Sequence, residues 1–267
     1  MTDKRVVKLL KQFPKDFSGR KSVTKRELRD YVAKNIPDSS EKEFRATLYQ
    51  LENNLEILAS GSGIFLINEK SDYVSNNQSS LRTKYEPSPS AFIQGIIFQI
   101  KNAFPNVDFT IWETKELNQF IVHQTFYNLV ILECEKDSVE SLFNNLSEFY
   151  PSKTFLSPDR LVFERYILQQ KEALIISKSV TQTPKGRKKT FWPYAKIEKI
   201  LVDIFTNKDL FIFFQGKEMV NIFKGVFKKY LVDERSLFRY AGRRHVAGKI
   251  KDFIFTKTNI ELLTISR

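Results

Sequence analysis

One short pattern, a hydroxyl residue followed three places later by glutamate, occurs twice near the start of the chain and constrains it most: Thr24-Lys25-Arg26-Glu27 and Ser40-Glu41-Lys42-Glu43. In a capping box the hydroxyl accepts from a backbone N–H of the first turn, and the glutamate reaches back to the capping N–H. Each pattern therefore marks a helix start. Behind the first box Leu28, Tyr31 and Val32 share one side, and Val23 is placed to staple to Leu28. Behind the second, Phe44, Leu48, Leu51 and Leu55 fall at offsets 0, 4, 7 and 11, a single continuous face. Upstream, Val6, Leu9 and Leu10 predict a first helix ending near Phe13-Pro14. Downstream, residues 55–60 and 64–67 read as two short strands joined by Gly61-Ser62-Gly63.

Three helices followed by a glycine-tipped hairpin are the requirements of a winged helix-turn-helix, which the pattern places in residues 1–70. The third helix would enter the major groove. Lys42, Arg45, Ala46 and Tyr49 lie opposite its apolar face, so two cations and an aromatic hydroxyl point outward together. Lys25 and Arg26 flank the start of the second helix, where backbone N–H groups suit a phosphate, and Ser62 sits at the hairpin tip, beside a neighbouring groove. The same module also serves protein contacts, and its charge is modest, with 14 basic against 10 acidic residues.

Residues 71–89, rich in Ser and Asn with two prolines, read as a linker. Residues 90–267 read as a mixed α/β domain ending in helices, so the expected class is α+β. Residues 90–103 and 137–150 have helical patterns, and residues 109–112, 127–133 and 173–178 those of strands. Ile197, Ile200, Leu201, Ile204 and Phe205 predict an amphipathic helix, and Val220, Phe223, Phe227 and Leu231 another.

The formal charge of +12 is concentrated at the end: residues 181–267 hold 19 basic and 8 acidic side chains, residues 90–180 only 8 against 11. Arg235, Arg239 and Arg243 recur every four residues, extended by Arg244. Lys224 and Lys228 share the same spacing, and Lys185, Arg187, Lys188 and Lys189 cluster in a loop. Such a surface suits DNA or an acidic protein partner. Cys134 is the only cysteine, which excludes an intrachain disulfide and zinc sites built on paired cysteines. No signal peptide or apolar run long enough for a bilayer precedes or interrupts this pattern, so the expected compartment is the cytoplasm.

Chemistry has fewer anchors. Asp108, Glu133 and Glu135 stand at strand ends, as carboxylates do in restriction-endonuclease-like cores, with Lys115 and Lys136 nearby. Glu133-Cys134-Glu135, however, places an acid where an acid-x-Lys signature needs its lysine. His123 and His245 lack ligand partners at recognisable spacing, and Cys134 follows an apolar run like a small buried hydrophobe. No phosphate-binding glycine loop is present, and no cofactor or metal is expected.

The helix from Lys196 to Phe205, KIEKILVDIF, the run RYAGRR at 239–244, TKELN at 114–118 and YNLVILE at 127–133 together resemble the AbiEi-type antitoxins of type IV toxin–antitoxin systems, in a divergent Bacteroidetes-like branch. The resemblance implies a bacterial, non-enzymatic protein whose winged helix represses its own promoter, as a monomer or weak cooperative oligomer on DNA. It implies also a C-terminal domain that counteracts a nucleotidyltransferase toxin. The alternatives are a metal-dependent nuclease with a degenerate core and a protein-interaction adaptor.

Overall fold

The computed structural model describes residues 4–20, 22–54, 56–61, 63–67, 82–123, 127–187 and 192–262 of an α+β chain. Two compact units emerge. One gathers the described residues up to Lys84 with Phe227–Arg235 and the last described residues from Glu261. The other comprises Tyr85–Val226 and Ser236–Ile260.

The first unit runs α1 (Lys4–Asp16), β1 (Ser22–Thr24), α2 (Lys25–Asn35), α3 (Glu41–Asn53), β2 (Ile57–Gly61) and β3 (Ile64–Ile67). Its sheet is antiparallel in the order β1-β3-β2. Both capping boxes are formed. Thr24 accepts from Glu27 N at 3.2 Å while Glu27 accepts from Thr24 N at 2.7 Å, and the Ser40–Glu43 pair repeats this at 3.3 and 2.8 Å. Val23, Leu28, Val32, Phe44 and Leu51 are buried in one core with Leu48 packed against it, so the sequence faces of α2 and α3 point inward as expected.

Two local features differ from expectation. Helix α1 continues through Pro14 to Asp16, because Phe13 and Phe17 stack at 4.6 Å and both meet Tyr31 edge-on. That packing outweighs the one hydrogen bond a proline removes. The three-residue strand β1, too short for a periodic signal, adds a third strand to the hairpin. At the hairpin turn Gly63 takes φ +73°, left-handed backbone that favours glycine, and its carbonyl accepts from Lys25 N at 2.6 Å.

Of the expected linker, residues 71–81 lie outside the described residues. In the rest, Thr83 donates to Lys229 O at 3.0 Å and accepts from Leu231 N at 2.9 Å.

The second unit begins with α4 (Ala91–Ala103), whose Ile93, Ile96, Ile97 and Ile100 are buried at helical spacing. Its sheet contains β4 (Phe109–Glu113), β5 (Asn128–Cys134), β6 (Thr154–Leu156), β7 (Glu172–Lys178), β8 (Lys185–Arg187) and β9 (Pro193–Ala195), ordered β6-β7-β5-β4-β9-β8. Strands β5, β7 and β6 are mutually parallel, with α5 (Val139–Phe149) between β5 and β6, and α6 (Arg160–Val162), prolonged by a π-helical turn, before β7. Parallel neighbours need such crossovers. All seven β5 residues are buried, as a central strand covered on both faces requires. Glu113, buried at the end of β4, accepts from Ser90 at 3.0 Å and Asn128 at 2.8 Å, and so ties α4, β4 and β5 together.

The chain continues through α7 (Ile197–Thr206), α8 (Lys217–Lys229), α9 (Glu234–Arg243) and α10 (Ala247–Phe253). The expected amphipathic α7 is instead buried at every position from Ile197 to Ile204. Helix α8 buries Met219, Ile222, Phe223 and Val226; of the expected face Phe223 is buried, Val220 and Phe227 are half-buried, and the buried Leu231 lies beyond the helix end, in the backbone paired with Thr83. The half-buried Gly225 of α8 takes Phe120 so closely that a Cβ there would lie 2.4 Å from the ring.

Two stability measurements follow. Ser40→Ala removes a formed cap and should cost about 1 kcal/mol in urea denaturation. Glu27 is held down to about 2 by Arg20 and by the Thr24 backbone and hydroxyl. A depressed carboxylate contributes stability above its unfolded value near 4.5, and that stability is lost as the pH falls toward about 2. Glu27→Gln should therefore flatten the acid limb in that window. The exposure of the pair keeps the effect small.

Candidate functional site

Helix α3 presents Lys42, Arg45, Ala46 and Tyr49 to solvent, with Tyr49 at 64% exposure. They are on the side away from Phe44 and Leu51, because the capped start of α3 fixes which residues its first turn turns inward. Arg45 Nε is 3.2 Å from Glu41, which also accepts from Arg29 at 2.6 Å, so the guanidinium is oriented by an exposed acid rather than buried against one. Exposed pairs of this kind contribute about 0–1 kcal/mol and exchange readily for a stronger anion. Lys25 and Arg26 are exposed at the start of α2, where the Gly63 carbonyl brings the hairpin turn alongside. Ser62 lies outside the described residues.

The expected basic surface divides. Lys224 and Lys228 on α8 are exposed, as are Arg235, Arg239 and Arg243 on α9. Arg244 is not part of that stripe. The helix stops at Arg243, where His245 adopts φ +57° and its N–H returns to Gly242 O, and Arg244 turns inward, half-buried, to line a cavity. The loop cluster is also reshaped: Lys185 belongs to β8 and pairs with Asp108, and Lys188 and Lys189 lie outside the described residues.

The carboxylates singled out for nuclease chemistry have other partners. Asp108 faces Lys185, Glu133 faces Lys199, and Glu135 is exposed. Lys115 pairs with Glu113 at 3.2 Å. Among the described residues no three His, Cys, Asp or Glu side chains gather as metal ligands. His123 is exposed, with Nδ1 3.1 Å from Glu218. Cys134 is fully buried, and burial, followed by Glu133 and Glu135, pushes its thiol up to about 11.

The densest polar arrangement was not among the expected sites. Lys199, 0% exposed in α7, sets its ammonium 2.7 Å from Glu133 of β5 and against Asp203 one turn along its own helix. Tyr240 of α9 donates to Asp203 at 2.9 Å, and its ring lies 5.6 Å from the ammonium. Burial favours a neutral lysine, but Asp203 and Glu133 outweigh it and hold Lys199 well above the ordinary range. Burial, opposed by Lys199, pushes Glu133 up. Burial and then Asp203 push Tyr240 up. In the sequence Glu133 stands out only as a strand-end acid, and Lys199-x-x-x-Asp203 has the spacing of an ordinary exposed helix pair.

Glu133, Asp203 and Arg244 face a cavity of about 290 Å³, whose other polar wall includes Ser157, Ser177 and Asn207. Lys199→Met would leave two buried carboxylates without their cation and should cost about 3–5 kcal/mol at pH 7 in urea denaturation. An acid raised in the folded state disfavours folding while ionised, so the deficit should shrink as the pH falls and Glu133 takes up a proton.

No curated protein sequence matches the chain. A family model does match, over residues 43–260, from the first turn of α3 to just past the described helical segment Ile254–Thr258. The chain therefore belongs to the family described as "Family of unknown function (DUF6577)".

Proposed function

We propose that the first unit is a winged helix-turn-helix that reads duplex DNA with α3, and that the protein is a transcriptional autorepressor rather than an enzyme. The observation that carries this reading is the outward set of Lys42, Arg45 and Tyr49 on a helix whose opposite face is buried. The element order α1-β1-α2-α3-β2-β3 supports it, since it supplies a helix-turn-helix followed by a hairpin. Arg45, already directed by Glu41, exchanges that acid for a phosphate or a guanine edge, Lys42 meets the backbone, and Tyr49 donates to a phosphate. Lys25 and Arg26, beside the hairpin turn, hold a flanking phosphate. Ala46, small and central on the exposed side, lets the helix approach the base edges.

The resemblance to AbiEi-type antitoxins extends the proposal: the operator is the protein's own promoter, and the second unit counteracts a nucleotidyltransferase toxin encoded alongside. The exposed cations of this second unit, Lys224 on α8 and Arg239 and Arg243 on α9, are the surface for that antagonism or for flanking DNA. The setting of this reading is the cytoplasm, and among the described residues no helix is long and apolar enough to cross a membrane.

Fluorescence anisotropy with the upstream promoter duplex tests the DNA half. Lys42→Ala/Arg45→Ala should weaken binding at least tenfold and reduce the slope of log K against log salt by about 2, one for each phosphate no longer neutralised. Equal affinity and equal slope in the variant would remove α3 from the interface. Co-expression with the adjacent reading frame tests the toxin half separately, through recovery of growth.

A further inference from the structure

We infer that the cavity at the ends of β5, β6 and β7 is a binding site for a small organic molecule carrying a phosphate group, with Arg244 as its principal anchor.

The first support is topological. Strands β5, β6 and β7 are parallel and finish side by side: Glu133 is level with Ser177, Cys134 with Lys178, and Leu156 with Ile176. Glu133, Ser177 and Ser157, the residue after β6, all line the cavity, which thus opens at the carboxyl ends of parallel strands. There the crossover connections diverge and leave a crevice, the place where open α/β sheets hold ligands. Its volume of about 290 Å³ suits a compact molecule.

The second support is an unanswered donor. Arg244 Nε is buried and meets no hydrogen-bond acceptor among the described residues. Charge balance explains why a cation belongs beside Glu133, since Lys199 faces two carboxylates. It does not explain a buried N–H aimed at no oxygen, because an arginine placed only for balance loses nothing by pairing with the nearest carboxylate. A buried donor without a partner is rare in native proteins and points to a group that arrives from outside.

The third support is the donor set. Guanidinium presents two parallel N–H groups that fit an oxyanion side-on, and Ser157, Ser177 and Lys178 add two hydroxyls and an ammonium to the lining. That is more than a planar carboxylate can accept and suits the three oxygens of a phosphate monoester. Ser157 holds φ +40°, in the left-handed region, with its N–H bonded to Ile176 O at 2.9 Å. Strain at such a position accompanies functional contacts. Ile131, Ile175 and Phe211 form an apolar wall for the body of the ligand. The two acids of the lining are offset by the Lys199 ammonium behind them and the Arg244 guanidinium beside them, and Lys178 leaves one positive charge in surplus for the anion.

Phenyl phosphate, which joins an apolar ring to a phosphate monoester, is the probe, with inorganic phosphate and benzoate beside it. In calorimetric titrations of the full chain, phenyl phosphate should saturate one site, bind at least tenfold more tightly than inorganic phosphate, and shift the Arg244 Nε–H resonance in ¹⁵N spectra. Arg244→Lys, which keeps the charge and removes the planar pair of donors, should weaken it at least tenfold. Ser177→Ala, a milder change at the same wall, should weaken it severalfold, and Lys249→Ala on the exposed side of α10 should leave it unchanged. No saturable binding at millimolar phenyl phosphate would overturn the site. Binding unaffected by both Arg244→Lys and Ser177→Ala would do the same, and benzoate binding as tightly as phenyl phosphate would overturn the assignment to phosphate.

Discussion

The second unit depends on how one positive charge is kept out of water. Lys199 has no exposed surface, and an ammonium in that setting is tolerable only where carboxylates come within contact distance. Glu133 comes from a central strand, Asp203 from the next turn of α7, and Tyr240 from α9. Three segments far apart in sequence must therefore arrive together before the charge is satisfied. A slip of one residue in β5 would turn Glu133 to the other face and leave the lysine with a single acid. Buried ion pairs add little net stability compared with apolar packing, but they discriminate strongly against near-native arrangements. The cluster thus selects the register of β5 and the seating of α7 more than it strengthens either.

Much of the first unit was legible because its determinants are local. Capping boxes act within four residues, and the Phe44–Leu48–Leu51 face is set by helical geometry alone. What was misread depended on distant partners. Pro14 looks like a helix end until Phe17 and Tyr31 are seen to hold the next turn. Strands β1, β6, β8 and β9 have three residues each, too few to show alternation; β1, β6 and β9 lie beside a longer strand, and β8 pairs with β9. In the second unit the long strands β5 and β7 announced themselves as apolar runs, whereas the order of the sheet did not.

The candidate sites follow the same division. Lys42, Arg45 and Tyr49 were accessible to counting around a helix, and the structure leaves them exposed. Lys199 and Asp203 were hidden by a spacing that ordinarily belongs to a solvated face; only the burial of all their neighbours reveals otherwise. Arg244 joins the Arg235–Arg239–Arg243 stripe in the sequence only by adjacency, yet α9 ends one residue earlier, and past that end the side chain lines a cavity instead.

Cys134 closes β5 with its sulfur shielded and its thiolate disfavoured. Alkylating reagents and oxidants act on thiolates they can reach, so in the folded chain this sulfur is silent. It reacts when β5 separates from its neighbours. The sole cysteine is consequently an intrinsic reporter of sheet opening: the rate at which a thiol reagent labels it, under conditions where closing outruns modification, gives the population of the open form without any introduced probe.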